Sequence, residues 1–321
     1  MKKFTLIICL LSLGFFLYRC TSAADKGRRV LIFSKTEGYR HTASIEEGQK
    51  AILKMAAENG FMADTSENSE MFNDDSLKHY RAVIFLNISG SVFNNEQRVS
   101  LKRFVQAGGG VLSIHASADA ERDWPWFGRL IGAYYDSHPP VQKGKLITVD
   151  KNHPASSFMP DSVYRTDEFY NFQQVSPDIK VLVNLDEKSY TGGSMGSSHP
   201  SVWYQEFEGG RSFYTSWGHT KESWREPLFL QQVRNGLQWV MGGENPKPLD
   251  YSKSEPEENR FTENILMEKM DEPIQMAIAK SGNVYVAQRR GNILRSNAAG
   301  KTSRSIGTIP VLSAYEDGLL G

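Results

Sequence analysis

Gly108-Gly109-Gly110-Val111-Leu112-Ser113-Ile114-His115-Ala116-Ser117-Ala118-Asp119 is the stretch on which the fold turns. Three glycines stop whatever precedes them, an apolar run of strand length follows, and the run empties directly into small residues. A strand that breaks into so tight a turn lifts one side chain above the sheet edge and is expected to leave backbone N–H groups free beside it. That side chain is His115. Ligands of open α/β sheets bind outside the carboxyl ends of the strands, so the turn is expected to open onto a site. The plainer reading is a histidine that ties down a turn.

Upstream of this elbow the same rhythm repeats. Arg29 to Ser34 reads as a buried strand, and Lys35 to His41 as a loop. Thr42 or Ser44 then caps a helix with apolar positions Ile45, Ile52, Leu53 and Ala56 that ends at Gly60. Phe61 to Thr65 and Ala82 to Leu86 read as strands, and Asn94 or Asn95 opens a helix with Leu101, Phe104 and Val105 on one face. Strands alternating with helices predict a parallel sheet covered on both faces. Downstream, Lys145 to Val149, Val163 to Phe169, Lys180 to Asn184, Val202 to Phe207 and Arg211 to Ser216 are further strands. A last helix runs from Pro227 to Val240, with proline in its first turn. Gly242-Gly243 closes the domain.

Glu244 to Arg260 holds Pro246, Pro248 and Pro256 among polar residues, which is linker composition. Beyond it, Pro273 to Ile278, Val284 to Ala287 and Ile293 to Arg295, separated by turns at Lys280–Asn283 and Arg290–Asn292, read as an antiparallel meander at the spacing of a propeller blade. One blade cannot bury both its faces, so the chain reads as cut short at Leu319-Leu320-Gly321. At the other end, Lys2 and Lys3 precede an apolar run from Phe4 to Tyr18, too short to span a bilayer comfortably. Small residues follow, so residues 1–23 read as a secretory signal. Cys20 also fits a lipid anchor, although Arg19 sits where a lipoprotein cleavage site wants a small residue.

The only two cysteines, Cys9 and Cys20, lie in this leader. Once both are removed with it, the remaining chain has no thiol for a disulfide, a nucleophile or a metal. Lys plus Arg and Asp plus Glu balance at 37 each, so no basic excess exists to hold a phosphate backbone, and nucleic acid is not an expected partner.

Six blocks in order resemble the ThuA (trehalose-utilisation-like) family, from about Arg29 to Gly243. They are Phe33-Ser34-Lys35-Thr36-Glu37-Gly38-Tyr39-Arg40-His41; the elbow with Asp123-Trp124-Pro125-Trp126-Phe127; Gly132-Ala133-Tyr134-Tyr135; Asp167-Glu168-Phe169-Tyr170-Asn171-Phe172; Met195-Gly196-Ser197-Ser198-His199-Pro200; and Gly210 to Thr220. The resemblance implies a flavodoxin-like, doubly wound, mostly parallel sheet of the class I glutamine amidotransferase type over residues 28–243. A linker at 244–258 and the start of a propeller at 259–321 complete the expected organisation. His115 then stands where amidotransferases keep a cysteine, and His219 near their catalytic histidine. Imidazole in place of the thiol removes the nucleophile, so glutamine hydrolysis is not expected. Ser198 stands where many relatives are expected to carry aspartate, which weakens any role carried over to that position. The tail from Phe261, with Gly282 to Gly291 and Glu316 to Gly321, resembles the opening of a soluble quinoprotein sugar dehydrogenase. Pyrroloquinoline quinone and calcium are implied only for a complete propeller.

Five of the seven histidines, His41, His115, His138, His199 and His219, sit in loops within these blocks, accompanied by Glu168 and Asp119. Neutral imidazoles with a carboxylate are ordinary ligands for zinc or another divalent ion. The same groups can also exchange protons with a sugar near neutral pH. His115, His219 and Glu168 are the expected catalytic or metal-binding set; His41, Asp119, Tyr170, His199 and Trp217 are expected around a substrate. No short His-x-x-x-His spacing is present, so convergence is left to the fold. His79 and His153 fall outside the blocks and read as surface or turn residues. The expected function is an exported protein of sugar catabolism, periplasmic or attached to the outer membrane. It would take a small sugar or glycoside, trehalose-like or oxidised to the 3-keto form, in hydrolase- or lyase-type chemistry. The competing reading is a non-catalytic carbohydrate-binding or docking module that keeps the cleft. Convergence of His115, His219 and Glu168 within a few ångströms separates the two.

Overall fold

A computed structural model describes residues 28–256, 267, 270–297, 303–315 and 317–319. The leader with Cys9 and Cys20, and Phe261 to Glu263, lie outside the described residues. Two compact units divide the chain, one ending at Glu255 and one starting at Pro256.

In the first unit the elements run β1 (Arg29–Phe33), α1 (Thr42–Asn59), β2 (Met62–Ser66), α2 (Asp74–Leu77), β3 (Ala82–Leu86), α3 (Asn95–Gln106), β4 (Gly110–Ile114) and α4 (Pro125–Ile131). They continue with β5 (Tyr134–Ser137), β6 (Gln142–Thr148), β7 (Ser162–Asp167), β8 (Asn171–Gln173), β9 (Lys180–Asp186), β10 (Pro200–Phe207), β11 (Gly210–Thr215) and α5 (Pro227–Val240). Nine of these strands form one sheet in the order β2-β1-β3-β4-β11-β10-β9-β6-β7. From β2 to β11 every neighbouring pair is parallel, and from β11 to β7 every pair is antiparallel. Only β10 and β6 therefore run against the rest, and the sheet is α/β with a mostly parallel sense. The short β5–β8 ribbon stands apart, and the alternation pattern did not reveal it.

The central strands β3 and β4 are buried along their whole length, as strands covered on both faces must be. Alternate residues go to opposite sides. Val30, Ile32, Ile84, Leu112 and Ile114 pack with Ile45, Ile52 and Met55 of α1 and Phe229, Val233 and Leu237 of α5. Leu31, Phe33, Val83, Phe85 and Val111 pack with Leu101, Phe104 and Val105 of α3 and Phe127, Leu130 and Ile131 of α4. Close packing also explains the glycine run: a Cβ on Gly110 would lie 2.3 Å from the Val240 carbonyl oxygen. Helix α3 opens with a capping box between Asn94 and Gln97, as the Asn94 reading expects. The first helix departs from expectation, because neither Thr42 nor Ser44 caps it; His41 occupies the N-cap position without a side-chain bond.

The segment read as linker is ordered against this unit up to Glu255. Asp250 N–H donates to the Ala107 carbonyl, and Ser254 Oγ to the Arg103 carbonyl. The second unit is a four-stranded antiparallel sheet, β12 (Pro273–Ile278), β13 (Val284–Gln288), β14 (Asn292–Ser296) and β15 (Ser303–Thr308). Val284 and Val286 are buried, whereas β12 and β15 are largely exposed. Among the described residues this is one sheet rather than a propeller. No helix among them is long and apolar enough to cross a membrane.

Candidate metal centre

The carboxyl ends of the parallel strands β1, β4 and β11, joined by the end of the edge strand β7, deliver the site. β4 runs into a 3-10 turn, His115–Asp119, and His115 takes φ 45°, a left-handed conformation rare outside glycine. β11 ends just before His219, β7 just before Glu168, and the β1 loop ends at His41. One ligand atom from each of His41, His115, Glu168 and His219 lies within 4.8 Å of the other three. Four ligands on one zinc-like ion at about 2.0–2.2 Å lie roughly 3.3–3.6 Å apart, so a small inward movement completes such a set.

Hydrogen bonding decides which atoms are available. His115 Nδ1 lies 2.7 Å from the Ser216 carbonyl oxygen, which can only accept, so Nδ1 carries the proton. The neutral ring then offers a lone pair at Nε2, 3.2 Å from Glu168 Oε2, itself an acceptor. Two acceptors at that distance need a cation between them, a proton or a metal ion. His41 Nδ1 and His219 Nδ1 are buried without a hydrogen-bond partner. His219 Nδ1 is 3.2 Å from Glu168 Oε2, close enough for attraction but not aligned as a hydrogen bond. A donor set of three imidazoles and a carboxylate, with unpartnered nitrogens aimed inward, fits a first-row divalent ion.

The electrostatics agree. Burial, reinforced by the neighbouring His115 and His219, pushes the His41 pKa from 6.5 down to about 3 and keeps this ring neutral. Burial opposes charge on Glu168, but the adjoining imidazoles of His115 and His219 outweigh it and hold the carboxyl below its usual range. Burial also opposes charge on His219, where the Glu168 carboxylate more than offsets it and raises the imidazole.

A second layer ties these ligands to the sheet. Asn87, fully buried just past β3, accepts the Ala116 N–H at 3.2 Å and donates to Ser44 Oγ at 3.0 Å and toward the Gly218 carbonyl at 3.5 Å. Ser44 Oγ also bonds that carbonyl and receives Trp224 Nε1–H at 2.9 Å. One amide therefore joins residues next to His115, next to His219 and on the first turn after His41. The expectation of a free amide at the elbow fails here, because the Asn87 side chain occupies it. On the other side, Asp167 pairs with Arg165 at 2.9 Å and accepts the Gly218 and Glu168 N–H groups at 3.2 and 3.0 Å.

The remaining expected residues divide. Tyr170 lies over the centre, its ring 4.1 Å from that of His115, and burial pushes its phenol well above its usual pKa. His138, not among the expected catalytic residues, stands 3.1 Å from Glu168 Oε1. Asp119 stays outside the ligand set and pairs with Arg122 at 3.0 Å. His199 is buried with both ring nitrogens engaged: Nδ1 faces Glu187 at 2.8 Å and Nε2 faces the Tyr170 carbonyl oxygen at 2.8 Å, so it braces the Tyr170 backbone. Trp217 does not line the centre. It is 1 % exposed, under the Arg165 guanidinium, with its indole N–H given to Ser201. His153 is a turn residue as expected but not a surface one, being 4 % exposed. Sequence reasoning missed Asn87, Arg165 and Ser44. Asp167 was quoted within a block but given no role. Only the position of Asn87 just after a strand hinted at its part.

The family model described as ThuA, trehalose utilisation, matches residues 29–240. The chain belongs to the ThuA family. A ThuA-like protein from Bacteroides uniformis shares 23% identity over 66% of this chain and 91% of its own, with a TM-score of 0.59. One from Parabacteroides merdae shares 21% over 72% of this chain and 100% of its own, with a TM-score of 0.58. At these identities the likeness is one of fold. A search of curated proteins finds no match. In this ThuA-family domain the matched region takes in every residue of the histidine–glutamate cluster.

Proposed function

We propose that the ThuA domain is a metal-dependent carbohydrate-active enzyme, with His41, His115, His219 and Glu168 holding a zinc-like divalent ion. The observation that carries this is the convergence of one ligand atom from each of these four residues within 4.8 Å, in a cluster where His41 and His219 each bury a ring nitrogen without a hydrogen-bond partner. Dispersed side chains would have favoured the non-catalytic binding module instead. The substrate class in this reading is a trehalose-like or 3-keto glycoside, in keeping with the family's description. The reaction is of hydrolase or lyase type. When bound, such an ion polarises a carbonyl or lowers the pKa of a coordinated water. The chain's own groups do the rest. The Ser216 carbonyl fixes the His115 ring, Asn87 and Asp167 hold the backbone beside each ligand, and Tyr170 shields the ligand nitrogens from water. His138 orients Glu168 through Oε1 and leaves Oε2 to the centre.

Export, with Cys20 as the lipid site, belongs to the same reading. So does fusion to a sugar-oxidising propeller, for which the four-stranded sheet β12–β15 is of blade size. The test is elemental analysis of the purified full chain, followed by turnover of disaccharides and keto-glycosides before and after chelation. About one equivalent of metal, with activity lost on chelation and restored by Zn²⁺ or Mn²⁺, is the expected result. Equal turnover by metal-free protein would overturn the metal reading.

A further inference from the structure

Tyr39 is 71 % exposed, more than any other large hydrophobic side chain described in the first unit. Exposure of that kind usually marks a floppy loop, but this loop is held at every step. Glu37 and Gly38 N–H groups donate to the Ser89 carbonyl, and Ser89 Oγ donates back to the Tyr39 carbonyl at 2.7 Å. Arg40 reaches the Ser34 carbonyl and Glu67. Gly38 fits tightly here, since a Cβ would meet Ser89 Oγ at 3.2 Å. The ring so displayed stands edge-on to His41, centroids 4.8 Å apart. A solvent-facing phenol ring held this firmly beside His41 keeps an apolar face in water that the C–H face of a ligand can cover, which suits it as a stacking platform.

A second stretch of the rim has a different character. From His115 the ring contacts continue through Tyr170 to Tyr135, whose centroid is 4.5 Å from that of Tyr170. The Arg122 guanidinium lies over Tyr135 at 5.7 Å and pairs with Asp119 at 3.0 Å, with both charged groups partly open to solvent. Arg122 also donates to the Tyr135 carbonyl, which fixes its orientation. Adjacent donor and acceptor groups held side by side match the vicinal hydroxyls of a sugar ring; an apolar ring matches its C–H face.

We propose that the rim of the centre is a two-part carbohydrate subsite, with Tyr39 the stacking platform for one pyranose ring and the Asp119–Arg122 pair the hydroxyl clamp for a second. This rests on the carbohydrate reading above and adds to it the residues that select a two-ring ligand. Both parts lie outside the ligand set, so they act on binding and not on metal uptake.

The test is equilibrium titration of the Zn²⁺-loaded full chain with trehalose and with methyl α-D-glucopyranoside. Tyr39→Ala weakens trehalose binding by about three- to tenfold, Tyr39→Phe does not, and the one-ring glucoside hardly distinguishes Tyr39→Ala from the native protein. Arg122→Ala weakens both sugars. Zinc content stays unchanged in all three variants. Native affinity for trehalose in both Tyr39→Ala and Arg122→Ala would overturn the subsite and leave the metal centre standing. Zinc loss in Tyr39→Ala would overturn it too, since Tyr39 would then act through His41. Absence of trehalose binding by the native zinc-loaded protein would overturn the subsite together with the carbohydrate reading.

Discussion

His41 and His153 are both buried imidazoles with a ring nitrogen that finds no hydrogen-bond partner, yet their surroundings differ in kind. Around His153 stand the faces and edges of Tyr204, Trp239 and Phe213, at 4.2, 5.1 and 6.1 Å between centroids, and its Nδ1 accepts the Ala155 N–H. Around His41 stand the rings of His115 and His219, each at 5.0 Å, with Glu168 between them. An unpartnered nitrogen is therefore no site in itself. What makes one is that other lone pairs aim at the same point, at the end of the sheet where parallel strands stop together. His153 packs against rings; His41 faces a cluster of lone pairs, which is what the proposed metal centre needs.

The largest test of that contrast is His115→Ala. Metal affinity should fall by more than the roughly 10–100-fold that loss of an outer-shell partner costs, and turnover should go with it, while far-ultraviolet circular dichroism is unchanged. A variant that keeps native zinc content would remove the elbow from the site.

The contrast also predicts a pH signature at His153. Burial lowers its pKa from 6.5 to about 4, so between those values the unfolded chain takes up a proton that the folded chain refuses. Stability present above pH 6.5 should therefore fall by about 3 kcal/mol as the pH drops to 4. His153→Asn keeps an acceptor for the Ala155 N–H but does not titrate. Denaturant midpoints of the two proteins, compared from pH 7 to 4, should converge as the pH falls, with metal content equal throughout.

Asn87→Gly probes the layer that holds the cluster in place. Glycine tolerates the local φ of 52° and removes the amide that joins three ligand-bearing segments. Zinc should bind about 10–100-fold more weakly, and the visible spectrum of bound Co²⁺ should shift. A purely structural role would lower the melting temperature and leave that spectrum alone. The smallest effect is expected at Trp217→Phe. It should cost about 1–2 kcal/mol of stability through the lost bond to Ser201 and a small cavity, with metal binding unaltered. Impaired metal or sugar binding there would return Trp217 to the site.

Much of this was legible along the chain because it is local. The run from Gly108 to Ala118 carries both the strand and its break, and that pattern alone placed His115 at the edge of a parallel sheet. The choice of His115, His219 and Glu168 as one set came from the family resemblance, because the ligands lie far apart in sequence and no spacing rule links them. Side-chain partnership was not legible. Whether a buried histidine offers a free lone pair depends on which carbonyl or carboxylate packs against its other nitrogen, and such partners come from distant strands. For that reason His199, one of the five loop histidines, became a brace and Trp217, two residues from His219, became core, while Asn87 entered the site unannounced and His138, given no role along the chain, came to face Glu168. Short-range pattern thus determined the elements and the perch of His115. Only tertiary structure, by bringing the ends of β1, β4, β7 and β11 together, decided which nitrogens face a common point and which are already bonded.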